Sequence, residues 1–273
     1  ETGVEGGEDA LPYAEGLNVF AWDRRIKAAA AAAGLYHVAG DEDGVAGHKV
    51  GPGGYRVRLS LGDATVEAPL EVRWDPRLET TDDQIVEQQA ALGAVRAMID
   101  ELHRSLVALD AAKAQAADRK AILEKIDGDA TVIEAAEALV EAVDEWRDSV
   151  ANFKREGFQD VLNFPDRLST DLQFLYRNID GATAGMTQGM RDRQADLKAR
   201  WDTAIAARDA LIAGAVAEYD AAFAAAQAAG LVLPPFTEAQ ADAGEAAKEA
   251  REAAKKARED AKGKEEDKDV ADE

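Results

Sequence analysis

Cysteine is absent from the chain. Disulfides and thiolate metal sites are therefore excluded, and thiol usage says nothing about the redox compartment. Histidine is scarce, with only His37, His48 and His103 present. They share no i,i+4 spacing, and no His-Glu-x-x-His motif occurs, so a zinc site is not expected. Aromatic residues make up 6% of the chain, which leaves few large core anchors. Hydrophobic residues reach 47%, but much of that is alanine, a composition suited to helices packed in thin layers. Positive charge is also short: 32 Lys and Arg face 54 Asp and Glu, for a net charge of −22. Nucleic acid and anionic lipid would both be repelled by such a surface. The excess charge reads as a device for solubility. No apolar run approaches the roughly 20 residues that span a bilayer, so no membrane insertion is expected. No signal peptide is visible. The chain begins at Glu1 rather than Met, which reads as a processed product or a piece of a longer protein.

What is present falls into four stretches. Residues 1–16 are rich in glycine and acid and read as a flexible lead-in. Residues 17–78 carry β signals. Leu17, Val19 and Ala21 alternate with Asn18, Phe20 and Trp22, a first strand candidate. The alanine run at 28–33 reads as a loop insertion or one helical turn, and the glycines of 39–54 as a loop. Tyr55, Val57, Leu59 and Leu61 then alternate with Arg56, Arg58 and Ser60. Gly62-Asp63 suits a two-residue hairpin turn. On the return strand Val66, Ala68, Leu70, Val72 and Trp74 share a face. Pro69 cannot donate to a ladder, so this strand needs a free edge. Three or four strands result, against about seven in an immunoglobulin-like sandwich. One apolar face must then be covered by the helices or by strands preceding Glu1; the second is the expectation.

Residues 79–233 read as an α-helical bundle. Thr81-Asp82-Asp83-Gln84 is a capping box for a first long helix. Leu92, Val95, Ile99, Leu102, Leu106 and Leu109 recur at heptad spacing. Asp127-Gly128-Asp129 breaks that helix, and Thr131 to Glu134 reads as a second capping box. The second helix presents Ile133, Val140, Val143, Val150 and Phe153 and stops near Gly157. A third carries Leu168, Leu172, Leu175 and Ile179. A fourth, with Leu197, Trp201, Ile205, Ile212, Val216, Tyr219 and Phe223 inward, ends by Gly230. Helices joined by short turns should lie antiparallel. Residues 234–273 read as a charged tail, helical in part and otherwise disordered. The fold class expected is α+β, mainly α: a partial Ig-like antiparallel β-module, an antiparallel helical hairpin or bundle, and an acidic tail.

No residue reads as catalytic, cofactor-binding or metal-binding. Asp41-Glu42-Asp43-Gly44 and Asp127-Gly128-Asp129-Ala130-Thr131 begin like calcium loops but lack EF-hand spacing and the terminal Glu. Gly51-Pro52-Gly53-Gly54 precedes a strand, not a helix N-terminus, so it has no dipole to hold phosphate. There is no Gly-x-Ser-x-Gly elbow and no cysteine nucleophile. The three histidines read as surface or half-buried residues. Trp22 and Trp74 are expected to pack in the β-region, Trp146 and Trp201 in the helical core.

Three segments carry a family resemblance. Gly16-Leu17-Asn18-Val19-Phe20-Ala21-Trp22-Asp23-Arg24-Arg25 resembles a "G-x-N-x-x-x-W-D-x-R" strand. Val50-Gly51-Pro52-Gly53-Gly54-Tyr55-Arg56-Val57-Arg58-Leu59 resembles an "x-x-P-G-x-Y-x-V-x-L" segment. Leu70-Glu71-Val72-Arg73-Trp74-Asp75-Pro76-Arg77 resembles an "L-x-V-x-x-D-P-R" close. Together they look like the C-terminal region of bacterial BNR-repeat, sortilin-like, glycosyl-hydrolase-like proteins. The β-module is also similar to the Ig-like domain of the flagellar hook-capping protein. Gly54 stands where the family usually has Thr, and the alanine run is atypical.

The resemblance implies a β-propeller before Glu1, a secreted or periplasmic setting, and no functional residue to carry over, since no Asp-box (Ser-x-Asp-x-Gly-x-x-Trp) occurs. The leading expectation is thus a non-catalytic accessory or scaffold region, not an enzyme in itself, whose partners are that propeller and another protein. One alternative is coiled-coil oligomerisation through the 92–109 seam, giving a homo-oligomer. The other is a carbohydrate-binding accessory module using its tryptophans.

Overall fold

A computed structural model describes residues 15–35, 46–61, 63–154 and 163–229. The chain is α+β, mainly α. It divides into two compact units, Glu1–Ala224 and Ala225–Glu273. The expected boundary at 78/79 falls inside the first.

Strands β1 (Gly53–Leu61) and β2 (Ala64–Val72) form an antiparallel hairpin. Leu61 pairs with Ala64, which leaves two residues for the turn, as the sequence predicts; Gly62 itself lies outside the described residues. Opposed residues share a face. Tyr55, Val57 and Leu59 oppose Leu70, Ala68 and Val66, so one face is apolar. Arg56, Arg58 and Ser60 oppose Pro69, Glu67 and Thr65 on the other. There Glu67 accepts from Arg58 at 2.7 Å and Arg56 at 3.1 Å, and the Arg58 bond holds its carboxyl below the usual range. Among the described residues β2 has one neighbour, which gives Pro69 the free edge it needs.

Two β expectations are corrected. Residues 17–22 form no strand: Leu17 and Val19 are 94% and 74% exposed, and no described residue pairs with them. Alternation specifies which side chains would face a sheet, but it cannot supply the ladder partner that makes a strand. β2 also ends at Val72, short of Trp74. Two strands, not three or four, are present among the described residues. Neither packs on a helix, and Val57, Leu59 and Val66 remain 51%, 53% and 68% exposed.

Helix α1 (Asp82–Lys125) starts at the expected capping box. Thr81 N–H donates to Gln84 Oε1 at 2.9 Å, and Gln84 N–H to Thr81 Oγ1 at 3.3 Å. At 44 residues it runs about 66 Å. Leu92, Val95, Ile99, Leu102, Leu106 and Leu109 are all buried, and α1 packs on three other helices. The heptad seam is therefore consumed within the chain. α1 closes with Gly128 N–H donating to Leu123 O at 2.8 Å across Asp127, whose φ is +49°. That is a Schellman stop, so Asp127-Gly128-Asp129 is a helix joint.

α2 (Ala130–Val150) is capped by Asp129, whose carboxylate accepts from Thr131 N–H at 2.8 Å. The expected Thr131 box is thus displaced: Asp129, two residues earlier, is an equally good cap and leaves Thr131 inside the first turn. α2 ends at Val150, before Gly157; residues 155–162 lie outside the described set. Asp110 pairs with Arg147, Lys113 with Asp144 and Lys120 with Glu137. Numbers rise on α1 as they fall by equal steps on α2, so the two run antiparallel.

α3 (Leu168–Gly181) buries Leu168, Leu172, Leu175 and Ile179 as expected. α4 (Gln188–Leu211) continues through a π-helical segment, Ile212–Val216, into α5 (Ala217–Ala228). Leu197 is fully buried, but Ile212 is 45% exposed rather than inward. Fifteen residues beyond Leu197 at 3.6 per turn, Ile212 stands about 60° round the helix from it, at the shoulder of the inward stripe rather than in it. His37, the acidic run 41–44 and residues 230–273 lie outside the described residues, as do all but two residues of the lead-in.

Candidate functional site

The best-built polar cluster joins the β-region to the helices. Residues 24–32 form an extended strap. Residues 47–50 run beside it, through a bridge pairing Arg25 with Lys49. Ile26 N–H donates to His48 O at 3.0 Å, and Val50 N–H to Arg24 O at 2.7 Å. Gly47 permits this approach: a Cβ there would stand 1.8 Å from Ile26 O.

Two helices hold the pair. On α1, Arg96, Asp100 and His103 stand at i, i+4 and i+7, one face of the helix. Arg96 donates to Lys27 O at 3.1 Å and Ala28 O at 3.0 Å. Asp100 accepts from Ala30 N–H at 2.8 Å, and His103 Nδ1 from Ala32 N–H at 3.3 Å. On α3, Tyr176 and Asp180 stand at i and i+4. Tyr176 Oη accepts from His48 N–H at 2.7 Å and lies 2.8 Å from His48 Nδ1. Asp180 accepts from Lys49 N–H at 3.0 Å and from Arg25 Nη1 at 2.9 Å. Apart from Arg25 and the His48 ring, the strap is gripped by its backbone. Alanines 28–33 are thus a docked loop rather than a helical turn, with Ala32 buried.

Burial sets the electrostatics. It pushes the Tyr176 phenol up to about 12. It pushes His48 down, against the pull of Asp180 and with help from the Arg96 and Arg25 guanidiniums. Asp100 is held below the usual carboxylate range, chiefly by Arg104 at 2.7 Å.

His48 and His103 were expected at the surface or half-buried; they are 7% and 1% exposed. The His103 ring serves a backbone N–H of the strap and the His48 ring the Tyr176 hydroxyl, partners distant in sequence that single-residue reading cannot foresee. His103 Nε2 lies 2.8 Å from Ser169 Oγ, the spacing of a nucleophile and its base. The polarity is wrong for that role. Nδ1 already accepts from Ala32 N–H, so Nε2 carries the proton and donates to the hydroxyl instead of taking its proton. The pair is a clasp between α1 and α3.

The tryptophans sit largely as the sequence suggests. Trp146 is buried and donates to Ala204 O at 2.8 Å; Trp201 donates to Met98 O at 3.2 Å. Trp22 meets Tyr55 edge-on at 6.0 Å. A shallow depression of about 320 Å³ between α1 and α2 is lined by Lys120, Glu124, Glu137 and Glu141 with small apolar neighbours. Lys120 is already paired there with Glu137 at 2.6 Å and with Glu124 at 3.5 Å. Among the described residues, no group of three His, Asp or Glu is placed to hold a metal, and no helix is long and apolar enough to cross a membrane.

Comparison of the chain with family models, with curated proteins and with solved structures finds no match.

Proposed function

We propose that this chain is a non-catalytic scaffold: the C-terminal accessory region of a BNR-repeat, sortilin-like protein, in which the helical bundle mounts a β-hairpin for docking to protein. The observation that supports this is the hairpin's bare face. Val57, Leu59 and Val66 are more than half exposed on a sheet whose opposite face carries the ion pairs of Glu67 with Arg56 and Arg58. Clean alternation of this kind belongs to a sheet with one covered face. The occupant under this reading is further β-structure of an Ig-like module and the propeller beyond it.

The test is the coding sequence upstream of Glu1, followed by a mixing experiment. Asp-box blades are expected there. The separately expressed propeller should bind this chain, and Val57→Lys with Leu59→Glu should abolish binding while leaving the melting midpoint unchanged. Absence of blades would remove the parentage. Glycoside turnover by this chain, lost on mutating one of its own carboxylate pairs, would overturn the scaffold reading.

The same bare face favours one alternative, self-association, since two such hairpins could cover one another. The 92–109 seam is no longer available for that purpose. Light scattering decides: a strict monomer at high concentration removes the alternative.

A further inference from the structure

The strap junction holds a titratable side chain whose charge state the surrounding geometry constrains. His48 Nδ1 and His48 N–H both face one phenol oxygen, at 2.8 and 2.7 Å. A phenol carries one proton and accepts with its lone pairs. With His48 neutral, Tyr176 O–H donates to Nδ1 while Oη accepts the backbone N–H, so the phenol and both His48 groups that face it are served. Protonation reverses this. Two N–H groups then point at one oxygen, and the Tyr176 proton loses its acceptor. A positive charge also enters a buried site that faces Arg25 on the strap and Arg96 on α1. On α3, Asp180 opposes this, but both its oxygens are engaged, one by Arg25 and one by Lys49 N–H.

We propose that the His48–Tyr176–Asp180 cluster is an acid-sensitive latch, in which protonation of His48 releases residues 47–50 and the strap from α3 while the helical core stays folded. The direction follows from linkage. An undocked imidazole titrates near 6.5, whereas the docked one is pushed below that by burial. Above that range both states carry the neutral ring, and docking keeps its full stability. As pH falls through 6.5 toward the docked value, the free strap takes up a proton that the docked strap resists, and docking weakens. This device does not depend on what the hairpin binds.

Amide hydrogen exchange on the full chain tests it, with rates corrected for intrinsic pH dependence. Between pH ~7.5 and pH ~5, protection of Ile26, His48, Lys49 and Val50 should fall by about tenfold for each unit by which the docked ring is shifted. Protection of Leu139 and Val143 in α2 should hold. His48→Gln should flatten the response; His103→Gln, which alters the other buried ring, should preserve it. The proposal is overturned by an unchanged wild-type profile, by a fall that persists in His48→Gln, or by a fall that disappears in His103→Gln. The His48 ring titrated by NMR in the unaltered chain decides independently of any variant. A value below 6.5 that tracks strap release supports the latch, and one at or above 6.5 sinks it.

Discussion

The helical bundle and the β-hairpin treat their apolar residues in opposite ways. Every residue of the α1 seam is 5% exposed or less, whereas the hairpin's equivalents stand half open. Both were written with clean periodicity, 3.5 in one and 2 in the other. Periodicity therefore marks the face a segment is built to bury; it does not say that the burying partner lies in the same chain. The bundle finds its partners in the same chain, α1 packing on α2, α3 and α4. The hairpin packs on none of the helices: Trp22 reaches Tyr55 on its apolar face, while Val57, Leu59 and Val66 stay open.

That contrast can be broken most sharply in the core. Leu102 is fully buried in α1, and Leu102→Ala should cost about 2–5 kcal/mol of unfolding free energy in denaturant titration. A cost below 1 kcal/mol would mean the seam is not packed as described. An intermediate effect is expected at the junction. Tyr176→Phe removes the oxygen that serves two His48 groups and should cost roughly 1–3 kcal/mol. The loss should appear as faster exchange at Ile26, His48 and Lys49, with α2 amides unmoved; uniform loss across both regions would show that strap and bundle unfold together. The smallest effect belongs to the bare face. Leu59→Ser should change stability by no more than about 0.5 kcal/mol in the isolated chain. A larger cost would reveal that the face is already covered in solution, for instance by a second copy.

Much of the bundle was legible because its signals are local. Thr81 and Gln84 read as a capping box and form one; the seam spacing reads as a buried stripe and is one. The hairpin register follows from its two-residue turn. The errors come from competition and from partners. Asp129 outcompetes Thr131 as a cap by standing two residues earlier. Ile212 stands at the shoulder of the α4 stripe, about 60° round from Leu197, and so faces partly outward. Leu17, Val19 and Ala21 alternate correctly and meet no ladder among the described residues.

The junction was not legible at all. Its strap contributes mostly backbone groups, and backbone is the same at every residue. A trace did exist on the receiving side: Arg96, Asp100 and His103 each follow directly after a buried seam residue, Val95, Ile99 and Leu102. Polar residues at the shoulder of an apolar stripe are placed to reach a neighbouring main chain. Gly47 offered a second trace, though one visible only once Ile26 is beside it.

Asp180 binds one half of the junction with each of its oxygens, Arg25 of the strap with one and the Lys49 amide with the other. Tension applied to the hairpin at Gly53, or to the chain ahead of Arg24, therefore arrives at the same side chain on α3. Asp180 is the side chain the two halves have in common, beside the strap's own holds on Arg96, Asp100 and His103 and the hold of His48 on Tyr176, so a pull on either half is felt by the other through α3.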